Sequence, residues 1–188
     1  MKKMLFIMLI AFLFVSAENP VFAAAGASSA AGDVEIDGSF SLATGPGAFD
    51  SGYGLNFGAG YMMNSVVKDL QGRIDIGFYK FNGDFGFPFA TSLNYTRIPV
   101  TVSARYYFPI VDQLKVFAQA GVEASQDSKE YLDIFGFSHS KDELNIGVSP
   151  GGGIEFNVNP LLSIFALARF HAITDSYISM HFGAAFHF

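Results

Sequence analysis

The chain has four histidines and no cysteine. Any reactive site must therefore be assembled from imidazoles, hydroxyls and carboxylates, and no disulfide framework, zinc–thiolate site or thiol nucleophile is available. His171 is followed closely by Asp175 and Ser176. A base, an acid and a hydroxyl are the groups that acyl transfer needs, which makes these three the sharpest catalytic candidates. Proximity in sequence does not make a triad, however, because its roles are defined in three dimensions. Ser138-His139-Ser140 forms a second such cluster, and its plainer reading is a solvated loop tip. His181 and His187 are six residues apart. On one strand that is about 20 Å, too far for a shared metal ion, so hydrogen bonding is expected of them. No metal site, cofactor or enzymatic activity is expected.

What positions these groups starts with an export signal. Lys2 and Lys3 precede an unbroken apolar run, Met4 to Val15, and Val21-Phe22-Ala23 has the small-x-small form of a signal-peptidase site. The run is shorter than the roughly 20 residues of a spanning helix. Residues 1–23 are therefore expected to be a cleaved signal peptide, with Ala25 as the alternative cleavage point. Residues 24–32, all Ala, Gly and Ser, are expected to be a flexible periplasmic leader. Removing Lys2, Lys3 and Glu18 leaves 9 basic and 16 acidic residues, a net charge of −7. An exported chain this acidic is a poor nucleic-acid binder.

Residues 33–188 are expected to form one domain. Hydrophobic residues make up 51% of the chain and charged residues only 15%, against a usual quarter charged. The apolar residues are spread at every second position, which is how a transmembrane barrel hides its hydrophobicity. Eight segments alternate in this way, for example Tyr53, Leu55, Phe57, Ala59 and Tyr61 against Gly52, Gly54, Asn56, Gly58 and Gly60. Ile98, Val100, Val102, Ala104 and Tyr106 likewise alternate with Arg97, Thr101, Ser103 and Arg105. Tight turns are expected near 64–69, 109–113 and 157–160, and longer links at 44–51, 82–91, 126–143 and 173–176. The fold class expected is all-β, an eight-stranded antiparallel up-and-down transmembrane β-barrel, apolar toward lipid and polar toward the lumen.

The lumen then holds the charges. Glu35, Asp37, Arg73, Asp75, Arg105, Lys115 and Glu155 fall in the periplasmic half and are expected to form a mutually neutralising cluster. A lumen of eight strands is just wide enough for side chains to fill it, so a plug is expected, with a narrow ion path as the alternative. Two links are richer in aromatics than solvation requires. One carries Phe85, Phe87 and Phe89, the other Tyr131, Phe135 and Phe137. They are candidates for a recognition surface toward an extracellular partner, or for packing among lipopolysaccharide chains. The second also carries carboxylates, without the spacing of a Ca²⁺ loop.

Two sets of residues carry a family resemblance. The final octapeptide, His181-Phe182-Gly183-Ala184-Ala185-Phe186-His187-Phe188, resembles the C-terminal insertion signal of bacterial outer-membrane barrels, with His181, Gly183, Phe186 and Phe188 at its key positions. Arg97-Ile98-Pro99-Val100 through Pro109, Phe117 to Val122, and Gly147 to Ile154 resemble the small OmpA-like and opacity-like outer-membrane β-barrel superfamily. The resemblance implies an outer-membrane location, lipid and lipopolysaccharide as surroundings, and the barrel-assembly machinery as a partner. Because the superfamily includes structural barrels, adhesins, channels and lipid-modifying enzymes, it implies architecture more than role. A structural or surface-interaction role is expected first, a narrow channel for small or apolar solutes second, and a lipid A-modifying enzyme third. The third is disfavoured because His171 lacks the His-x-Ser arrangement associated with barrel deacylases.

Overall fold

The computed structural model describes residues 33–45, 51–83, 93–132 and 138–188. The signal peptide, the leader, and Phe85, Phe87, Phe89, Phe135 and Phe137 lie outside the described residues. The described residues form nine strands joined by turns: β1 (Val34–Thr44), β2 (Ser51–Met62), β3 (Leu70–Gly83), β4 (Leu93–Val111), β5 (Leu114–Leu132), β6 (Ser138–Val148), β7 (Gly151–Asn159), β8 (Leu162–His171) and β9 (Tyr177–His187). All neighbours are antiparallel, in the order β4-β3-β2-β1-β9-β8-β7-β5-β6, and a β4–β5 pairing closes the ring.

Nine segments make eight staves, because β6 and β7 are one strand interrupted at Ser149-Pro150. Along β5, Val122 pairs Val148 and Gln119 pairs Gly151, so the register crosses the break without a shift. On the other side Val148 bridges Ala172 and Gly151 pairs Arg169, again in one register. Pro150 has no N–H for the ladder. Its carbonyl still accepts from Phe170 N at 2.9 Å, and Ser149 N donates to Gly121 O at 2.9 Å.

Alternation decides which way each residue points. Inward positions are mostly buried polar, glycine or aromatic residues, with a few aliphatic ones such as Ala43, Leu167 and Ala185. Outward ones in the membrane-facing band are apolar and bare: Phe57 is 62% exposed, Val122 59%, Met180 54% and Ile36 53%. This is the reverse of a soluble barrel and suits a lipid surround, in which the wall must pair all its own backbone groups. Tyr106, Phe108, Phe156, Phe186 and Phe188 face outward toward the end that holds both termini. Tyr53, Phe78 and Phe170 face outward toward the opposite end. These are the positions of two interfacial girdles.

The tight turns lie at the termini end. In the first, Asp69 adopts φ 61° and its N–H donates to Asn64 Oδ1 at 3.0 Å. The second is Asp112-Gln113, next to a bulge between Pro109 and Val111. In the third, Leu161 N donates to Asn159 Oδ1 at 2.8 Å. The seam closes here as well: Val34 N donates to Phe188 O at 3.2 Å, and Phe188 N to Val34 O at 2.8 Å.

The opposite end corrects the expected link over 126–143. β5 continues to Leu132 and β6 starts at Ser138, with Tyr131 opposite His139 and Glu130 opposite Ser140. Ser138-His139-Ser140 is therefore strand, not loop tip. Gln126, Ser128 and Glu130 alternate with Asp127 and Lys129, polar on both faces, so no amphipathic period marks the extension.

Inward glycines let the wall accept large lumen side chains. A Cβ on Gly153 would lie 2.6 Å from Phe117 Cζ and 3.0 Å from Leu167 Cα. Gly153→Val should therefore lower the unfolding free energy by roughly 1–3 kcal/mol, as overpacking does. Denaturant titration in micelles checks this, and an unchanged midpoint would contradict a packed lumen. Unboiled wild-type protein should also migrate differently on a gel from boiled protein.

Candidate functional site in the barrel interior

The inward side chains stand in three tiers. The first, toward the termini end, starts from an inward ladder on each strand. β1 supplies Glu35 and Asp37, and β3 supplies Gln71, Arg73 and Asp75. Between them β2 supplies only Gly58, paired to Asp37 and Asp75, and Gly60, paired to Glu35 and Arg73. A Cβ on Gly58 would stand 2.5 Å from Asp37 Oδ2 and 2.6 Å from Asp75 Oδ1. With no side chain between, the Arg73 guanidinium reaches across the intervening strand. It ion-pairs with Glu35 and Asp37, and with Asp75 at 3.0 Å.

Arg105 adds a second cation. Its Nε donates to Gln119 Oε1 at 3.1 Å, and its Nη1 lies 3.4 Å from Glu35 and 3.9 Å from Glu155. Its guanidinium sits 4.2 Å from the Phe117 ring centroid, a cation–π distance. Arg169 pairs with Asp75 at 3.1 Å. Lys115 sets its ammonium 5.3 Å from the centroid of the Tyr107 ring. Glu35, Asp37, Arg73, Asp75, Arg105, Lys115 and Glu155 are thus brought to one level of the barrel, and Arg169 joins them.

The second tier is a hydrogen-bonded row. His171 Nδ1 meets Glu123 at 2.6 Å and its Nε2 meets Ser179 Oγ at 2.8 Å, while Ser179 Oγ also meets His181 Nε2 at 2.7 Å. The Tyr79 hydroxyl donates to Asn56 Oδ1 at 3.0 Å, and Asn56 Nδ2 donates to Ser41 Oγ at 2.9 Å. The Tyr177 ring stacks on His171, 4.0 Å between centroids.

The third tier closes the loop end. Arg97 grips Asp127 with Nε at 2.8 Å and Nη2 at 2.7 Å. It also donates to Thr174 O at 2.9 Å and Asp175 O at 3.3 Å. The guanidinium lies 5.3 Å from the Tyr95 centroid and 4.9 Å from that of Tyr177. Tyr79, Phe81, Tyr95, Ile173, Tyr177 and Ala43 pack as one cluster around it.

This geometry corrects the catalytic candidates. His171 is joined neither to Asp175, which pairs with Lys129 at 2.6 Å, nor to Ser176, whose hydroxyl donates to Ile173 O at 2.9 Å. Its partners come from β5 and β9 instead. Glu123, His171 and Ser179 do follow the acid–imidazole–hydroxyl order. All three are fully buried, and Ser179 is shared with a second imidazole. The lumen space beside His181 is about 10 Å³, lined among others by Asp37, Asn56 and Arg169. That holds about one water, not an acyl chain.

Reading the sequence missed the neutral connectors Gln71, Tyr107, Gln119 and Ser179, and it placed Asp127 in a loop. The parity of Gln119 and Ser179 was visible; their partners across the lumen were not. Of the assembly-signal positions, His181 points inward, Phe186 and Phe188 outward, and Gly183 packs against Gly38 and Ser39 of β1. Tyr131 takes its place on β5.

The family model described as "Outer membrane protein beta-barrel domain" matches residues 7–188. No match was found among curated proteins. Among solved structures, OprG from Pseudomonas aeruginosa is similar at TM-score 0.66 and 13% identity, over 84% of this chain and 96% of that one. Ail of Yersinia pestis, the attachment invasion locus protein, in complex with the heparin analogue sucrose octasulfate, is similar at TM-score 0.61 and 17% identity, over 85% and 100%. Neisserial surface protein A is similar at 0.56 and 18%, also over 85% and 100%. At such identities the likeness is one of fold.

Arg73→Met should be costly, because it strands Glu35, Asp37 and Asp75 without their shared cation. A loss of about 3–5 kcal/mol in unfolding free energy is expected. Lys141→Ala, at the exposed 2.5 Å pair with Glu143, should stay within about 1 kcal/mol. Equal effects in the two variants would refute the network as a stabilising unit.

Proposed function

Since this chain belongs to the outer membrane protein β-barrel family, we propose that it is a non-enzymatic barrel of the bacterial outer membrane, closed by its own side chains and acting through its outer surface. The observation that carries this reading is the three-tiered arrangement of inward side chains, which leaves a space beside His181 that fits about one water. The proposal extends to topology. Residues 1–23 are removed on export, both termini and the tight turns face the periplasm, and the last strand serves as the assembly signal through His181, Gly183, Phe186 and Phe188.

The outer end supports a surface role. β4 and β5 are each 19 residues long, about twice what a tilted strand needs to cross a bilayer. The hairpin therefore projects beyond the membrane with β6 beside it. Its rim mixes Lys129, Lys141, Glu130, Asp142, Glu143 and Asp175. So mixed a rim does not suit a sulfated polyanion of the kind bound to Ail, and favours a protein or lipopolysaccharide surface. Phe85, Phe87, Phe89, Tyr131, Phe135 and Phe137 are the proposed recognition residues.

A narrow channel is the second reading. Arg73 Nε, Glu123 Oε1, Ser149 Oγ and Arg169 Nε are buried without a hydrogen-bond partner, as atoms facing lumen water would be. Single-channel recording in a planar bilayer separates the two. Folded protein should be electrically silent. Reproducible steps that change on neutralising Arg73 or Glu155 would replace the plug with the channel. Lipid A mass spectra should be identical with and without the protein, and a modification lost in His171→Ala would restore the enzyme.

A further inference from the structure

The first tier contains a carboxylate with too few donors. Glu155 is fully buried, and its Oε1 accepts no hydrogen bond. Its Oε2 lies 3.0 Å from the Tyr107 hydroxyl, but that hydroxyl is also 3.2 Å from Glu35 Oε2. A phenol has one proton to give, so one of the two carboxylates faces it without a donor. The nearest cation to Glu155 Oε2 is Arg105 at 3.9 Å, outside hydrogen-bonding reach. A buried carboxylate so poorly served calls for another positive charge.

The imidazole of His187 supplies the third side of the gap. Its Nδ1 is 3.9 Å from Glu35 Oε2 and its Nε2 is 3.6 Å from Glu155 Oε1. Single ligand atoms of Glu35, Glu155 and His187 lie within 4.8 Å of one another. His187 stands directly opposite Glu35 in the β1–β9 register, and Ser163 Oγ steadies its Nε2 edge at 2.9 Å. The two arginines contact Glu35 through Oε1, whereas Oε2 is met by the neutral Gln71 and Tyr107. When Tyr107 gives its one proton to Glu155, Oε2 of Glu35 accepts only from Gln71 and keeps a lone pair for a metal. The His187 side chain is 15% exposed at the mouth, which gives an ion a way in.

We propose that Glu35, Glu155 and His187 bind a divalent transition-metal ion of the zinc type at the termini-end mouth, clasping the first and last strands of the barrel. One imidazole and two carboxylates are borderline-hard donors that suit such an ion. Bonds of about 2.0–2.2 Å require the three groups to close by roughly 1 Å, which rotation of His187 and Glu155 allows. Water completes the coordination from the mouth. Tyr107, touching both carboxylates, acts as the outer-sphere orienting group. The site joins β1, β7 and β9, which is why the spacing of the histidines in sequence does not reveal it.

Calorimetric titration of the untagged, chelator-stripped barrel in micelles with zinc chloride tests this. One zinc per barrel is expected, together with a higher thermal unfolding midpoint that a chelator reverses. His187→Ala and Glu155→Gln should each weaken zinc binding by more than about tenfold, while His139→Ala at the opposite end should not. If Glu155→Gln does not fold, the rim variant His187→Ala decides alone. Absence of binding by the folded wild type would overturn the site, and so would zinc affinity unchanged in His187→Ala.

Discussion

The structure depends on the closure of the backbone hydrogen-bond ring. In lipid an unpaired N–H or C=O costs several kcal/mol, so the sheet cannot have an edge. Here closure is made by β1 and β9, in register from Glu35↔His187 to Ala43↔Ser179, and finished by the two bonds between Val34 and Phe188. Everything else follows from that ring. Once closed, it has an outside that tolerates only apolar groups and an inside that must take every other residue. Charges stand in the lumen because the other face cannot hold them.

That division explains what was legible in the sequence. Lipid on one face imposes a strict period of two, so the inward or outward direction of Glu35, Arg73, Arg105 and Glu155 could be read from parity, and their level from strand direction. Where the membrane ends the period ends too. The strand extension past Gln126 and the start of β6 at Ser138 were unreadable for that reason. The break at Pro150 is different: the register continues through it, so eight staves appear as nine segments. Partners across the lumen could not be read at all. His171 finds Glu123, 48 positions away in sequence, and not Asp175 four positions on, because the stagger of a closed sheet sets which inward residues share a level.

The tiers also show how charge is buried tolerably. Bare ion pairs in a low-dielectric interior do not recover their desolvation cost. Here Arg73 serves three carboxylates at once, and its reach depends on Gly58 and Gly60 leaving β2 without side chains. The neutral groups do the rest. Gln119 accepts from Arg105 and donates to Asp75 and Ser103, linking an anion and a cation that do not touch. Gln71 similarly accepts from Arg73 and donates to Glu35. Amides suit this task because each can give and receive at fixed angles.

The inward side chains shape the outer surface as well. Arg97 rises from β4 inside the barrel, yet two of its bonds go to the carbonyls of Thr174 and Asp175, in the turn between β8 and β9. Asp175 there adopts φ 57°, a left-handed conformation that is uncommon for a residue with a side chain. Those bonds, with the Asp175–Lys129 pair to the projecting β5, hold the turn across the lumen mouth. The aromatic tier beneath, with Tyr177 packed between His171 and Arg97, keeps the guanidinium from retreating. Lumen and rim are therefore linked mechanically in this barrel: Arg97, an inward side chain of β4, is also the group that fixes how the β8–β9 turn is presented.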